Sequence, residues 1–197
     1  MRSANRPMPI RRALARTALT VTRWRTVGEV PDRGILVGAP HTSNWDWVAM
    51  LVLLWSAGVR PRVLVKKELY RGPLGWLFDA TGGIPVDRKH PGRLVDQLAA
   101  EALADESFLI VLAAEGTRSR GELWKSGFYR LAQQTGLPVA LGFIDGPSRT
   151  MGFGPTLAVT GDVRADMDLV RAFYADKHGI HPEKRTPPRL REEDRRP

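Results

Sequence analysis

The chain has 197 residues, 43% of them hydrophobic, which suits one domain with a substantial core. It contains no cysteine, which fits a reducing compartment and excludes both a disulfide scaffold and a cysteinyl-thioester intermediate. The formal charge of +9 sits at the two ends around a nearly neutral body, a distribution that argues against nucleic acid as a partner.

Residues 1–26 hold seven arginines and no acid. Within them Ile10, Leu14, Ala18, Val21 and Trp24 recur at helical spacing, with Arg11, Arg12, Arg16 and Arg23 largely outside that stripe. A basic amphipathic segment of this kind suits an anionic membrane surface. The same pattern also fits a helix packed on the domain with a solvated arginine face, or an arginine-rich transit peptide. No apolar run approaches the ~20 residues needed to span a bilayer.

Gly34–Ala39 reads as a short buried strand stopped by Pro40. His41-Thr42-Ser43-Asn44-Trp45-Asp46 follows, with Ser43 or Asn44 placed to cap a helix over 45–57. Further strands are predicted at 62–66, 83–87, 108–113, 138–144 and 156–160, and helices at 92–104, 124–135 and 166–175. Residues 66–76 read as a loop and short helix covering the site. This alternation predicts an α/β fold: a single domain with a mostly parallel sheet flanked by helices. The segments divide into a basic amphipathic start over 1–27, a domain over 28–177, and a disordered charged tail over 178–197. The four histidines are dispersed, and no metal site is expected.

His41 lies in the loop after a strand and Asp46 in the first turn of a helix, so the ring can fold back onto the carboxylate. A carboxylate on one ring nitrogen fixes the tautomer and leaves the other nitrogen as a base. Taken alone, the pair reads as a loop histidine beside a helix-capping aspartate. Two downstream segments alter that reading: Gly82-Gly83-Ile84-Pro85-Val86-Asp87-Arg88, and Glu115-Gly116-Thr117-Arg118 after an apolar run.

In this order the three segments resemble the blocks of the glycerophospholipid acyltransferase family, typified by 1-acylglycerol-3-phosphate O-acyltransferases. Those blocks are His-x-x-x-x-Asp, Gly-x-Ile-x-x-Asp-Arg and Glu-Gly-Thr-Arg. Lys125-Ser126-Gly127 and Leu137-Pro138-Val139 resemble the segments that follow, so the likeness runs over about residues 34–145. The chain departs from the family in having Pro40 where Asn is common, Ala113-Ala114 where Phe-Pro is usual, and one Val-Pro-like step rather than two.

The resemblance implies transfer of a fatty acyl group from a thioester to a lipid hydroxyl, by default that of 1-acylglycerol-3-phosphate. His41 would be the general base and Asp46 its orienting partner. Arg88 and Arg118 would hold the acceptor phosphate, with Gly116 and Thr117 donating to the same group and Lys125 adding positive charge. Glu115 would pair with an arginine or contact a glycerol hydroxyl. No cofactor is expected beyond the co-substrate, acyl-CoA or an acyl carrier protein thioester. The expected partners are the lipid acceptor, the acyl donor and an anionic membrane surface, and the expected location is cytoplasmic, peripheral on the inner face of the membrane. The other reading of the sequence is a non-catalytic peripheral lipid-binding protein of the same fold.

Overall fold

The structure is a computed structural model, and it describes residues 8–60, 62–70, 73–86 and 91–194. Its elements run α1 (Pro9–Thr22), β1 (Arg25–Val27), β2 (Gly34–Ala39), α2 (Trp45–Ser56), β3 (Val63–Lys66), a 3-10 turn (Lys67–Tyr70) and α3 (Pro73–Ala80). Then come β4 (Gly83–Val86), α4 (Pro91–Ala104), β5 (Leu109–Leu112), α5 (Gly127–Thr135), β6 (Val139–Asp145), β7 (Thr150–Leu157) and α6 (Val163–Tyr174). The strands form one sheet in the order β1-β7-β6-β2-β5-β3-β4, parallel at every step except β6–β7.

Central β2 pairs on both sides, Ile35 lying opposite Ile110 of β5 and Val139 of β6. Because strand side chains alternate, Ile35, Val37 and Ala39 feed one core and Leu36 the other. The first core is closed by α4, α5 and α6 through Leu98, Phe128, Leu131, Met167 and Tyr174. The second is closed by Leu53 and Leu54 of α2, with Leu19 of α1 and Trp24 packed against it. α1 lies along α2, where Arg11 sits 5.2 Å from the Trp55 ring. α3 joins the same layer through an edge-on contact between Phe78 and Trp47.

The predicted α/β sheet and its central elements stand, with β2 matching residue for residue and α2 ending one residue early. The last residue of the predicted 83–87 strand, Asp87, falls outside the described residues. Two expectations need correction. The final strand covers Thr150–Leu157, not 156–160. Its apolar signal is broken by Gly152 and Gly154, which are glycines for a steric reason. A Cβ on Gly152 would lie 2.1 Å from the Val27 carbonyl oxygen, and one on Gly154 would lie 2.1 Å from the Phe173 ring.

The second correction concerns the tail, because residues 178–194 pack on the domain rather than remaining disordered. Leu190, Thr186 and Glu193 are buried. The charges that suggested disorder find partners on the helices. Glu193 pairs with Arg171 of α6 at 2.8 Å, and Glu192 with Arg130 of α5 at 3.0 Å. Main-chain bonds complete the anchoring, including Trp124 N–H to the Arg189 carbonyl at 2.8 Å.

One surface pair gives a pH-dependent term. The Ser107 hydroxyl, Arg62 and the Ser107 N–H hold the Asp105 carboxyl down at about 2. Its folded pKa is depressed, so its stabilisation is present above the usual carboxylate range and is lost as pH falls toward 2. Partial exposure screens the pair, so Asp105→Asn should cost only about 1 kcal/mol at pH 7. Chemical denaturation across pH 7 to pH 2 checks this: the difference should shrink steadily below the usual carboxylate range and be mostly gone by pH 2.

Candidate active site

The ends of β2, β5 and β6 lie side by side, and their following loops meet at the carboxyl edge of the sheet, where open α/β sheets place ligands. After β2 the chain passes a cis Ala39–Pro40 bond and turns sharply before α2. Asp46 makes that turn. Its Oδ2 accepts the N–H groups of Thr42 at 2.7 Å and Ser43 at 2.8 Å, and lies 3.2 Å from His41 Nδ1. Ser43 Oγ accepts the Trp45 N–H at 3.1 Å, closing a tight turn just before the helix, whose N-cap Asn44 makes no side-chain capping bond. The carboxylate beside Nδ1 assigns the ring proton to that nitrogen. Nε2 is left without a partner among the described residues, on a side chain that is 21% exposed. This ring can take a proton from a bound hydroxyl and pass it on.

The loop after β5 brings the second carboxylate. Glu115 is only 2% exposed, yet both of its oxygens are engaged. Oε1 accepts the His41 N–H at 2.6 Å and Oε2 the Thr186 N–H at 3.0 Å. Burial pushes its pKa up, against the pull of these N–H groups and of His41. Among the described residues Glu115 pairs with no arginine, and the contacts it does make are to the two main-chain N–H groups. Its oxygens are directed to two main-chain N–H groups because both loops need a buried acceptor there.

Gly116 has φ +68°, and a Cβ there would lie 2.9 Å from Lys125 Cγ, so the glycine lets the lysine stem cross the loop. Lys125 is held by its own N–H to the Ala114 carbonyl at 2.7 Å, and its side chain is exposed. Thr117 Oγ1 accepts the Ser119 N–H at 3.2 Å. Arg118 is exposed and makes no ion pair or hydrogen bond among the described residues. Arg88 lies outside the described residues. The structure thus joins His41, Asp46 and Glu115 directly and sets Gly116 against Lys125. Among the described residues no hydrogen bond links Thr117 or Arg118 to the histidine.

Several residues at this edge were not singled out from the sequence. Thr42, 1% exposed, accepts the N–H groups of Ile180 at 3.1 Å and His181 at 3.0 Å. Tyr174 is buried beneath the loops, its hydroxyl shared between the carbonyls of Val37 at 3.0 Å and Gly142 at 2.9 Å. Burial, then nearby Glu115, pushes that phenol well up. A second His–Asp contact joins His178 Nδ1 to Asp145 at 3.3 Å. Their partners lie more than a hundred residues away in most cases, so no local pattern announces them. Among the described residues no group of three His, Asp or Glu side chains is set to hold a metal.

A mostly parallel α/β sheet with a histidine and a carboxylate side by side beyond its strand ends defines the class: an α/β protein with a candidate acid–base pair at the carboxyl edge of its sheet. The sequence pattern of the family described as Acyltransferase matches residues 20–140, and the chain belongs to that family. Its fold is similar to the crystal structure of PlsC, the 1-acyl-sn-glycerophosphate (LPA) acyltransferase from Thermotoga maritima. The TM-score is 0.56 at 18% identity, covering 82% of this chain and 75% of that one. No curated protein matches the chain.

Proposed function

We propose that the protein transfers a fatty acyl group from an acyl thioester to the hydroxyl of a lysophospholipid or related glycerolipid. The default acceptor is 1-acylglycerol-3-phosphate and its product phosphatidic acid. The observation that carries this reading is His41, held through Nδ1 by Asp46 with Nε2 open. Nε2 takes the proton of the acceptor hydroxyl as the oxygen attacks the thioester carbonyl carbon. The C–S bond then breaks, and the departing thiolate receives that proton from the imidazolium. Asp46 keeps the ring oriented and offsets its charge in between. The donor thioester is acyl-CoA or an acyl carrier protein, and no further cofactor enters the scheme.

Arg118, with Arg88, is assigned to the acceptor phosphate, Gly116 and Thr117 to its approach, and Lys125 to the local positive field. Arg118→Ala should raise the acceptor KM about tenfold while leaving the donor KM in place, a loss of one charge-assisted contact. Initial rates with each substrate varied in turn check this; an equal rise in both moves Arg118 out of the phosphate site.

The membrane surface enters through one layer of the fold. Large apolar side chains stand exposed on its three helices: Ile10, Leu14 and Val21 of α1, Trp45 and Val48 of α2, and Trp76 of α3. Trp45 is 67% and Trp76 75% exposed. Exposed Arg12 and Arg16 on α1 add charge suited to anionic head groups. No helix among the described residues is long and apolar enough to cross a membrane. The exposed apolar and basic side chains of this layer support peripheral binding, which we assign to the cytoplasmic face. Trp76→Ser should weaken partition into anionic vesicles severalfold, read by co-sedimentation; unchanged binding removes α3 from the contact.

The experiment that tests the reaction is thiol release from palmitoyl-CoA, with and without lysophosphatidic acid in anionic vesicles. Release that needs the acceptor supports acyl transfer. Silence with this donor, with a carrier-protein thioester and with other lipid alcohols leaves a lipid-binding protein of the same fold.

A further inference from the structure

We infer that residues 178–190 form a strap whose bonds position His41 for the reaction. The inference rests on the reading of His41 as the base. The strap lies beyond the residues matched by the family pattern, which end at 140. It crosses the carboxyl edge of three neighbouring strands and is fastened to the loop of each.

At the end of β6, the His178 N–H donates to Asp145 Oδ1 at 2.8 Å, and Gly146 N–H to the Gly179 carbonyl at 2.9 Å. At the end of β2, Thr42 Oγ1 receives the N–H groups of Ile180 and His181. At the end of β5, Thr186 N–H donates to the carboxylate whose other oxygen holds the His41 N–H. Thr186 also accepts from Gly121 N–H at 2.9 Å through its hydroxyl and from Trp124 Nε1–H at 3.1 Å through its carbonyl.

The two residues at the base itself, His41 and Thr42, are thus both held by the strap, one through Glu115 and one directly. The fit is close. Gly179 has φ +74°, and a Cβ there would lie 2.9 Å from Thr42 Oγ1 and 3.1 Å from Pro40 Cβ. The His41 turn is therefore braced from behind by the strap and from in front by Asp46. A base braced on both sides loses little geometry when substrate binds, and displacement by about 1 Å can cost about a hundredfold in rate. Thr42, Gly179 and Thr186 are positioning residues in this scheme.

Thr42→Val keeps the side chain's shape and removes the acceptor, and Thr42→Ser restores it. Gly179→Ala presses on the same turn from the strap side. Below the melting temperature, Thr42→Val and Gly179→Ala should lower kcat at least about tenfold with the donor KM within about twofold, and Thr42→Ser should retain most of the rate. Loss of thermal stability alone, with kcat within about twofold of the parent, overturns the proposal.

The imidazole nitrogen signals of His41, assigned by their loss in His41→Ala, give a readout that does not need activity. They should move in Thr42→Val and return in Thr42→Ser. If the parent protein transfers no acyl group, the assignment of the base fails on its own, while the ring signals still decide the strap. Signals that stay in place in Thr42→Val overturn it.

Discussion

His41→Ala is expected to reduce acceptor-dependent thiol release by about a hundred- to ten-thousand-fold, the range for loss of a general base. The fold should survive. Asp46 Oδ2 still receives the Thr42 and Ser43 N–H groups after the ring is gone, so the turn into α2 stays closed. Glu115 cannot stand in as the base, because it is buried and both oxygens already accept N–H groups. The loss should therefore appear in kcat with little change in thermal unfolding. Retention of a tenth or more of the parent rate would remove His41 from the chemistry.

Glu115→Gln is expected to cost at least about tenfold in kcat although the change is isosteric. Two main-chain N–H groups converge on this side chain, and an amide offers only one acceptor oxygen. Its NH2 must face either the His41 or the Thr186 N–H, leaving a buried donor opposed, at about 1–3 kcal/mol. The pH dependence separates the carboxylate from its substitute. Burial raises the folded pKa of Glu115 above its unfolded value. Whatever that group contributes to stability is thus largest at low pH and is lost as pH rises through the raised pKa. The parent should lose stability relative to Glu115→Gln over that rise, as followed by denaturant unfolding across pH. A pH-independent difference would contradict the burial argument. The protein keeps an ionisable group where it is costly because only a carboxylate accepts from both loops.

The central sheet was legible because its signals are local. Gly34–Ala39 is a continuous apolar run cut by Pro40, and Trp45–Ser56 follows a short polar turn. The His41–Asp46 approach was legible for the same reason, as two residues five apart across a strand-to-helix corner that folds one back on the other. β1 was not, since it is three exposed residues that become a strand only by pairing with β7. In β7 the glycines that permit close packing also erase the apolar alternation. The role of Glu115 was hidden by distance, because one of its two donors is Thr186, 71 residues on. Arg88 was legible as a motif residue, and its role rests on the resemblance alone. In the amphipathic start, Ala18 and Trp24 turn inward while Ile10, Leu14 and Val21 stay exposed, a split that periodicity alone could not make.

The antiparallel step between β6 and β7 carries a consequence for assembly. β1 is held by β7 alone, across about 125 residues of chain, and β2 finds its two neighbours only at β5 and β6. Such pairings must pay their loop-closure entropy before any contact rewards them, so folding should be slow for a chain of this size and late in vectorial synthesis. α1 leaves the ribosome long before the strand that anchors its end. During that interval α1 has at most α2 to lie against, and any bilayer within reach meets the helix before the sheet does.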